Sequence, residues 1–246
     1  MPYLPTDARV VGAMLDLAEL KPTDVLYDLG CGDGRIVLEA ARRGATAVGV
    51  DVDLVRIREC YENARKVGLQ GRARFVRRSF FETDLRDATV VTLYLLPAIN
   101  VKLRPKLLRE LRPGARVIAN YYEIGDWRPD VEVDVHRRHL MKWVIPAWVS
   151  GRWHATLLEP DASRRRRHMS LDLHRRYQQV WGTARIGGRE AMQLIEPTLR
   201  GDELTFTLYH PRQFRTPTRF AAKLEDEVFR GRYSPGGTWV ASRIGT

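Results

Sequence analysis

Cysteine is scarce in this chain, and its scarcity excludes two classes of small protein. Only Cys31 and Cys60 occur in 246 residues, which is too few for a disulfide framework and matches no paired zinc-ligand pattern. A hydrophobic content of 44% is enough to build a core without either kind of cross-link. We therefore predict no metal site and a reducing compartment, by default the cytoplasm.

Long apolar runs are also missing. No stretch approaches the ~18 uninterrupted apolar residues that a membrane-spanning helix needs. The opening segment, MPYLPTDARV, has no charged leader followed by an apolar core. We predict neither export nor a transmembrane segment.

Negative charge is in short supply relative to positive charge. The chain has 41 Lys and Arg against 30 Asp and Glu, a net charge of +11 that is mostly arginine and leans toward residues 151–246. Such an excess suits an acidic partner such as nucleic acid. The run from Arg164 to Arg167 is most simply a solvated loop, with contact to a polyanion as the alternative. Nucleic acid is therefore an alternative partner and not the favoured one.

Residues 1–150 alternate between short apolar runs and helical patterns. Alternation of this kind builds a parallel sheet that is covered by helices on both faces and binds ligands at its carboxyl edge. Two further runs after Asp126, VEVDVHRR and MKWVIPAWV, would complete the sheet as an antiparallel hairpin. We predict an α/β domain with a Rossmann-like seven-stranded sheet. Its predicted strands are 25–30, 46–52, 73–80, 88–96 and 115–122, and its helices are 10–20, 35–44, 54–68 and 101–111.

Residues 151–246 contain no credible helical pattern. Short alternating runs such as HMSLDLHRRYQQV and ELTFTLY are separated by turn residues, among them Gly187-Gly188 and Pro235-Gly236-Gly237. This spacing is typical of an antiparallel meander. We predict a separate all-β module, a meander or small barrel, that begins at residue 151.

The segment DLGCGDGRI, residues 28–36, predicts a ligand-binding turn. Gly30, Gly32 and Gly34 alternate directly after a strand and before a helix. In the usual dinucleotide-binding pattern a third glycine would stand where Arg35 is, and a pyrophosphate would meet an acidic neighbourhood here. Glycines let a ligand approach the backbone without a Cβ in the way. The loop therefore suits a ligand other than a dinucleotide.

Acidic residues around the turn indicate the charge of that ligand. Asp28 and Asp33 suit a positive ammonium or sulfonium group, and S-adenosylmethionine carries both cations. Asp51 ends the second strand roughly 20 residues later, where a carboxylate can accept hydrogen bonds from both ribose hydroxyls. The residues thus favour S-adenosylmethionine as the cofactor, with a tight turn and a solvent-facing Asp51 as the alternative.

Five stretches carry a family resemblance over residues 1–150. Residues 1–150 resemble class I S-adenosylmethionine-dependent methyltransferases and, more narrowly, the ATP synthase c-subunit lysine N-methyltransferases and their bacterial relatives. The resemblance does not extend to residues 151–246. The matching stretches are PYLPT (2–6), YDLGCGDGRIV (27–37), AVGVD (47–51), VVTLYLLP (90–97) and GDW (125–127).

The resemblance implies a cofactor-binding set. It puts the methionine part of the cofactor against Asp28 and the first glycines, and the ribose against Asp51. The position that usually holds an acidic residue for the adenine holds Ser79, whose hydroxyl can still reach the adenine amino group, and Phe80 could pack on the ring or belong to the core. The whole implied set is Asp28, Gly30, Cys31, Gly32, Asp33, Gly34, Asp51, Val52, Ser79, Phe80 and Tyr94.

The resemblance also implies an acceptor site for a protein lysine. Tyr94 is the candidate catalytic residue, since its hydroxyl could hydrogen-bond an amine nitrogen, although an inward tyrosine can simply pack. The N-terminal residues would form a lid over the cofactor, and acidic residues after the fifth strand could attract a lysine ammonium. The implied substrate-binding residues are Tyr3, Pro5, Thr6, Leu96, Pro97, Glu123, Asp126 and Trp127.

Absent residue types narrow the acceptor. No cysteine follows Cys60, which disfavours a cysteine nucleophile of the kind used on pyrimidine carbon. Histidines begin at His136, so none stands at the first five strand ends as a base for a hydroxyl acceptor. An amine acceptor is favoured. Two alternatives stay open: a nucleic-acid methyltransferase that docks through its basic C-terminal module, and a non-catalytic cofactor-binding or scaffold protein.

Overall fold

The computed structural model describes residues 4–159, 166–210 and 214–244. The chain falls into two compact units, Met1–Ile145 and Pro146–Thr246. Within the described ranges, every helix falls short of the length and apolarity needed to cross a bilayer.

The first unit is a seven-stranded mixed sheet with helices, as the alternation predicted. The strand order is β3-β2-β1-β4-β5-β7-β6, in which the first five strands are parallel to one another, β7 is antiparallel to β5, and β6 is antiparallel to β7. The order reverses between β1 and β4, which opens a crevice at their carboxyl ends. The elements are α1 Ala8–Leu17, β1 Val25–Leu29, α2 Arg35–Arg42, β2 Thr46–Asp51, α3 Leu54–Lys66, β3 Ala73–Arg77, β4 Val90–Leu93, α4 Pro97–Glu110, β5 Arg116–Asn120, β6 Val131–Val135 and β7 Arg138–Val144.

The fourth strand is shorter than its apolar run suggested. The predicted strand covers 88–96, whereas β4 ends at Leu93 and α4 begins at Pro97. Proline favours the first position of a helix because its ring already holds a helical φ and the missing N–H has no partner there. The three residues before it, Tyr94 to Leu96, therefore form a loop at the carboxyl edge of the sheet.

The second unit is a nine-stranded antiparallel sheet, and no helix occurs in its described residues. The strand order is β11-β10-β9-β8-β16-β15-β14-β13-β12, and β10 comes close to β12, so the sheet is nearly closed. The predicted all-β module is confirmed. Its strands are β8 Gly151–Leu158, β9 Arg166–Arg176, β10 Gln179–Ile186, β11 Met192–Gln193, β12 Ile195–Arg200, β13 Glu203–His210, β14 Phe214–Glu225, β15 Val228–Tyr233 and β16 Gly237–Arg243.

Alternation along these strands separates a packed inner face from a solvated outer face. Inward positions hold large rings that fill the interior, with no exposed surface at Trp153, Phe220, Phe229 or Trp239. The run HMSLDLHRRYQQV is not a single strand, because it turns at Tyr177 between β9 and β10. Tyr177 adopts a φ of 55°, a value that is uncommon for tyrosine, so nothing in the sequence indicated this turn.

Candidate active site

The glycine turn after β1 is held between neighbouring strands. The amides of Gly30 and Cys31 both donate to the carbonyl of Val50 at the end of β2, at 2.8 and 3.1 Å. Gly30 has a φ of 85°, and a Cβ there would lie 3.0 Å from the Leu95 side chain. This glycine therefore keeps open the space between the turn and the loop after β4.

Gly34 has a structural role at the start of α2. It is the N-cap of α2 with a φ of 83°, and a Cβ there would lie 2.8 Å from the ring of Phe75. It does not line the cavity at the carboxyl edge of the sheet. Its predicted place in the cofactor-binding set stays a prediction, and in the structure a glycine is needed here for helix geometry and for packing against β3.

Two thiols lie behind the turn. The Sγ atoms of Cys31 and Cys60 are 3.9 Å apart, both buried and free, and Cys60 donates to the carbonyl of Gly32 at 3.1 Å. The contact with Cys60, together with burial, raises the pKa of the Cys31 thiol. Cys31 is therefore a protonated, inert group that packs behind the turn.

Asp51 ties the turn to the end of β2. Its Oδ2 accepts from the amide of Gly32 at 3.1 Å, and its Oδ1 accepts from the amide of Asp53 at 3.0 Å. The side chain is half-buried at the cavity wall. A carboxylate in this position keeps lone pairs available for ligand hydroxyls.

Asp28 is a buried acid at the base of the turn. Its carboxyl is 3% exposed, and its Oδ1 accepts from the hydroxyl of Thr92 on β4 at 2.7 Å. Burial raises the pKa of Asp28 to about 7; the Thr92 hydrogen bond opposes the rise, and the charges of Asp51 and Asp33 add to it. No Lys, Arg or His of the described residues forms an ion pair with it. A bound cation would stabilise its ionised form.

Asp33 is engaged by the protein itself. Its carboxylate accepts two-pronged hydrogen bonds from the guanidinium of Arg35, at 2.5 to 3.1 Å. The same guanidinium donates to the carbonyl of Thr6 at 2.6 Å. Arg35 therefore connects the N-terminal segment to the glycine turn. Asp33 pairs with this arginine of the protein, whereas the sequence suggested that it faces a cation of the ligand.

A cavity of about 660 Å³ lies at the carboxyl ends of β1, β2 and β4. Its wall near β1 and β2 is acidic, whereas the wall from the N-terminal segment, the loop after β4 and α4 is apolar and aromatic. Thirteen of the predicted residues line it: Pro5, Thr6, Asp28, Gly30, Cys31, Gly32, Asp33, Asp51, Val52, Ser79, Phe80, Tyr94 and Leu96. The lining residues not predicted are Leu4, Arg35, Ile36, Asp53, Arg56, Phe81, Leu95, Ile99 and Tyr122.

The segment after β3 contributes a rigid turn and two rings. The hydroxyl of Ser79 accepts from the amide of Phe81 at 3.3 Å, which holds the turn. The rings of Phe80 and Phe81 lie 4.9 Å apart, with Phe81 44% exposed. Both rings lie on the cavity wall and offer a planar ligand an apolar surface.

Two tyrosines form the aromatic wall. The rings of Tyr94 and Tyr122 are stacked with centroids 6.2 Å apart. The guanidinium of Arg138 lies 5.7 Å from the Tyr94 centroid. Tyr122 follows β5, and Asn100 on α4 holds its carbonyl at 3.1 Å. Sequence reasoning missed Tyr122, although an aromatic pair at the end of a strand, ANYY, is a signal that could have suggested it.

Four predicted substrate residues do not reach the cavity. Pro97 starts α4, Glu123 is exposed away from the wall, and Asp126 pairs with Arg104 on α4. Trp127 has no exposed surface; its ring packs against a second tryptophan of the core at 5.9 Å. The structure therefore does not bring these four residues to the cavity, and their predicted substrate-binding role stays a prediction. Tyr3 lies outside the described residues.

Comparison with known proteins identifies the family. The family model for the ANTKMT methyltransferase domain matches residues 28–131. A protein-lysine N-methyltransferase from Saccharolobus islandicus is 47% identical over 137 residues, which cover 55% of this chain and 85% of that protein. The chain belongs to this methyltransferase family. The methyltransferase accordingly uses S-adenosylmethionine as its methyl donor.

Two further relatives extend the comparison. The human ATP synthase c-subunit lysine N-methyltransferase is 30% identical over 130 residues, and this methyltransferase spans only 55% of its length. A crystal structure described as an RNA methyltransferase from Salinibacter ruber, in complex with S-adenosyl-L-homocysteine, shares 45% identity with a TM-score of 0.58. The match covers 59% of this methyltransferase and 96% of that chain.

Proposed function

We propose that this methyltransferase transfers methyl groups to lysine side chains of proteins. The observation that carries the proposal is the 47% identity to a protein-lysine N-methyltransferase over 85% of that relative's length. The human relative is also a lysine enzyme. The runner-up acceptor is RNA, which the similarity to the Salinibacter RNA methyltransferase supports.

The residues of the cavity fit the cofactor. Asp28 is a buried carboxyl without a cationic partner among the described residues, which suits the ammonium of the methionine part. A Cβ at Gly30 would lie 3.0 Å from the Leu95 side chain, and its absence permits close approach of a ligand to the backbone. We assign the ribose hydroxyls to Asp51 and the adenine to Ser79 and Phe80. Val52 follows Asp51 on the same wall.

The chemistry needs little covalent help from the protein. When bound, the cofactor supplies a methyl group on a sulfonium, and a neutral amine can displace it directly. The chain's own residues orient the amine and exclude water from the reacting atoms. The loop after β4 contains Leu95 and Leu96. It therefore lacks the Asn/Asp-Pro-Pro-aromatic pattern of enzymes that methylate exocyclic nucleobase amines. This apolar wall favours the aliphatic stem of a lysine.

The acceptor must lose a proton before it can react. Lysine has an ordinary pKa near ~10.4, and no histidine lines the cavity. The carboxylates on the cavity wall are assigned to cofactor binding, so none of them is assigned as a base for the acceptor amine. Tyr94 accepts or donates a hydrogen bond at the amine nitrogen, and the proton leaves to water. We expect kcat/KM to rise about tenfold per pH unit between pH 7 and 9, and a plateau below pH 8 would reveal a protein base.

The compartment and partner follow from the same features. We propose that the protein acts in the cytoplasm, because the Sγ atoms of Cys31 and Cys60 lie close together in space and are free thiols. We propose an unfolded or flexible protein segment as the partner, since a lysine side chain must extend into a cavity bounded by Pro5, Leu96 and Tyr94.

The test separates protein from RNA acceptors. The purified protein is incubated with methyl-labelled S-adenosylmethionine and cell extract, and the products are treated with protease or nuclease. We expect label that protease releases and nuclease does not, with methyllysine found by mass spectrometry. The Asp51→Ala variant controls for label carried by contaminants. Label found only in nuclease-sensitive material would establish the RNA alternative instead.

A further inference from the structure

The outer face of the second unit carries a group of basic residues on five adjacent strands. Adjacent strands β14, β15, β16, β8 and β9 are in register across this face. Two neighbouring rows of outward residues cross all five strands without a single Asp or Glu. The first row reads Ala221, Arg232, Thr238, Leu158 and Arg166, and the second reads Lys223, Arg230, Val240, Thr156 and His168.

The cations of these rows are accessible. Arg166, Lys223, Arg230 and Arg232 are all exposed. Lys223 has Asp202 at 3.6 Å, whereas no carboxylate of the described residues pairs with Arg230 or Arg232. On β13, Glu203 is the cross-strand neighbour of Lys223. The cross-strand neighbours of Arg230 and Arg232 are neutral or cationic, so the charges of these two arginines stay uncompensated, which costs stability unless a ligand neutralises them. The arrangement points to an anionic ligand.

The dimensions suit a chain of anions. Strands lie about 4.8 Å apart, so four intervals span about 19 Å, and the two rows are about 6.7 Å apart along the strands. Cations stand on both flanks of a neutral middle formed by Thr238, Val240, Thr156 and Leu158. A polymer with one charge per repeat can contact both flanks at once, which a single small anion cannot.

Exposed rings beside the rows indicate which polymer. His154 on β8 is exposed, and its ring stacks on that of His168 with centroids 5.2 Å apart. Six residues further along β9, about 20 Å from His168, His174 stacks on the exposed Trp181 of β10 at 6.0 Å. Single-stranded nucleic acids are bound by basic surfaces with rings on which bases stack. An anionic membrane surface has no planar bases to stack on these ring pairs.

We propose that this basic face, defined by Arg166, His168, Lys223, Arg230 and Arg232 with His154, binds single-stranded nucleic acid. Phosphates contact the arginine and lysine flanks, and a base stacks on the imidazole pair. Arg166 is the β9 residue of the first row, whereas Arg164 and Arg165 of the same basic run lie outside the described residues. The proposal concerns the second unit alone and holds whichever acceptor the first unit methylates.

The test measures binding of the full chain to fluorescein-labelled 16-nucleotide RNA and DNA single strands by anisotropy, between 50 and 200 mM salt. Contact with three or four phosphates predicts a slope of about −2 to −3 in a plot of log K against log salt. The variant R230Q/R232Q should bind at least tenfold more weakly at 100 mM salt, with a slope shallower by about 1.4. The RNA and DNA arms identify the polymer that binds more tightly.

Matched variants separate the face from net charge. R189Q/R200Q removes the same charge from the same unit outside the two rows and should change affinity less than twofold. H154A/H168A should weaken binding roughly fivefold or more without changing the slope, because stacking releases no counterions. Far-UV circular dichroism, compared with the wild type, confirms that the β-sheet of the second unit is folded in each variant.

Three results would overturn the proposal. One is no binding of either strand at 50 mM salt. Another is an equal loss in both arginine double variants. The third is binding to phosphatidylserine vesicles that R230Q/R232Q abolishes while oligonucleotide binding survives, which would make the face a membrane contact.

Discussion

Replacing Asp28 by asparagine should abolish the pH dependence of cofactor binding below neutral pH. The Asp28 pKa of about 7 in the ligand-free protein means that the carboxyl is mostly neutral at pH 5.5 and mostly ionised at pH 8. On the proposed assignment, only the ionised form of Asp28 pairs with the ammonium of the methionine part. At pH 5.5 about 3% of the carboxyl is ionised, so affinity should fall roughly 30-fold from pH 8 to 5.5.

The size of the loss in the variant follows from the same pairing. A hydrogen bond to a charged group contributes about 1.5–3 kcal/mol, so Asp28→Asn should weaken binding at pH 8 by roughly 10- to 150-fold. Because asparagine does not titrate, the affinity of the variant should be flat across this range. The wild type at low pH should approach the variant, since a protonated Asp28 and an asparagine offer the ligand similar dipoles.

The assay is calorimetric titration with S-adenosylhomocysteine in buffers of different ionisation enthalpy. Near pH 6 the wild type should release close to one proton per ligand, and Asp28→Asn should release none from this site. Thr92→Val is the matched control, because it removes the hydrogen bond that lowers the Asp28 pKa and should move the inflection to higher pH. An affinity that is flat from pH 5.5 to 8 in the wild type would refute this account of Asp28.

The stability of the ligand-free protein should depend on pH in the opposite sense to cofactor affinity, because the Asp28 contribution to stability falls as pH rises. The folded pKa of Asp28, about 7, lies above its ordinary value of 3.8, so the folded protein binds the extra proton between these values. The stability contributed by the neutral carboxyl is present at low pH and is lost as pH rises toward 7. The unfolding free energy of Asp28→Asn minus that of the wild type should therefore increase by about 1.5 kcal/mol between pH 5.5 and 7, measured by urea denaturation.

Three further substitutions test separate parts of the site. Asp51→Ala should weaken cofactor binding by about 1–3 kcal/mol in calorimetry, and unchanged affinity would remove the ribose assignment. Gly34→Ala should lower the free energy of unfolding by roughly 1–3 kcal/mol more than Gly68→Ala. Both glycines have a positive φ, but only at Gly34 would a Cβ lie against a ring. Equal losses would attribute the effect to φ alone. Tyr122→Leu should lower kcat/KM for a lysine peptide about tenfold and leave cofactor affinity within twofold, whereas Tyr121→Leu, outside the cavity wall, should leave both nearly unchanged.

Local patterns were sufficient for the architecture. The period of 3.6 in the helices and the apolar runs of the strands predicted the order of elements in the first unit, and turn residues predicted most hairpins of the second. Errors arose where a boundary depends on one residue's backbone. Pro97 began α4 earlier than its apolar pattern, and Tyr177 made a turn without glycine or asparagine.

The cavity wall at the ends of β1 and β2 was more predictable from the sequence than the wall proposed for the acceptor. Asp28, Gly30 and Asp51 sit at strand ends, and parallel topology brings those ends to one edge whatever the details of packing. The acceptor wall depends on which way a loop turns. Trp127 was expected at this wall but is buried in the core, while Tyr122, five positions earlier, lines it.

The amino-acid sequence by itself determined the doubly covered sheet, the cationic methyl donor and the all-β character of the second unit, because each follows from residue types within a few positions of one another. Tertiary structure alone decided that Arg35 neutralises Asp33 and holds Thr6, and that burial raises the pKa of Asp28. It also decided that Arg232 and Arg166 share one row of a sheet face. Apart from the Arg35–Asp33 pair, these features join residues far apart in the chain or depend on burial, and strand register and burial are set by the tertiary fold and not by a local pattern.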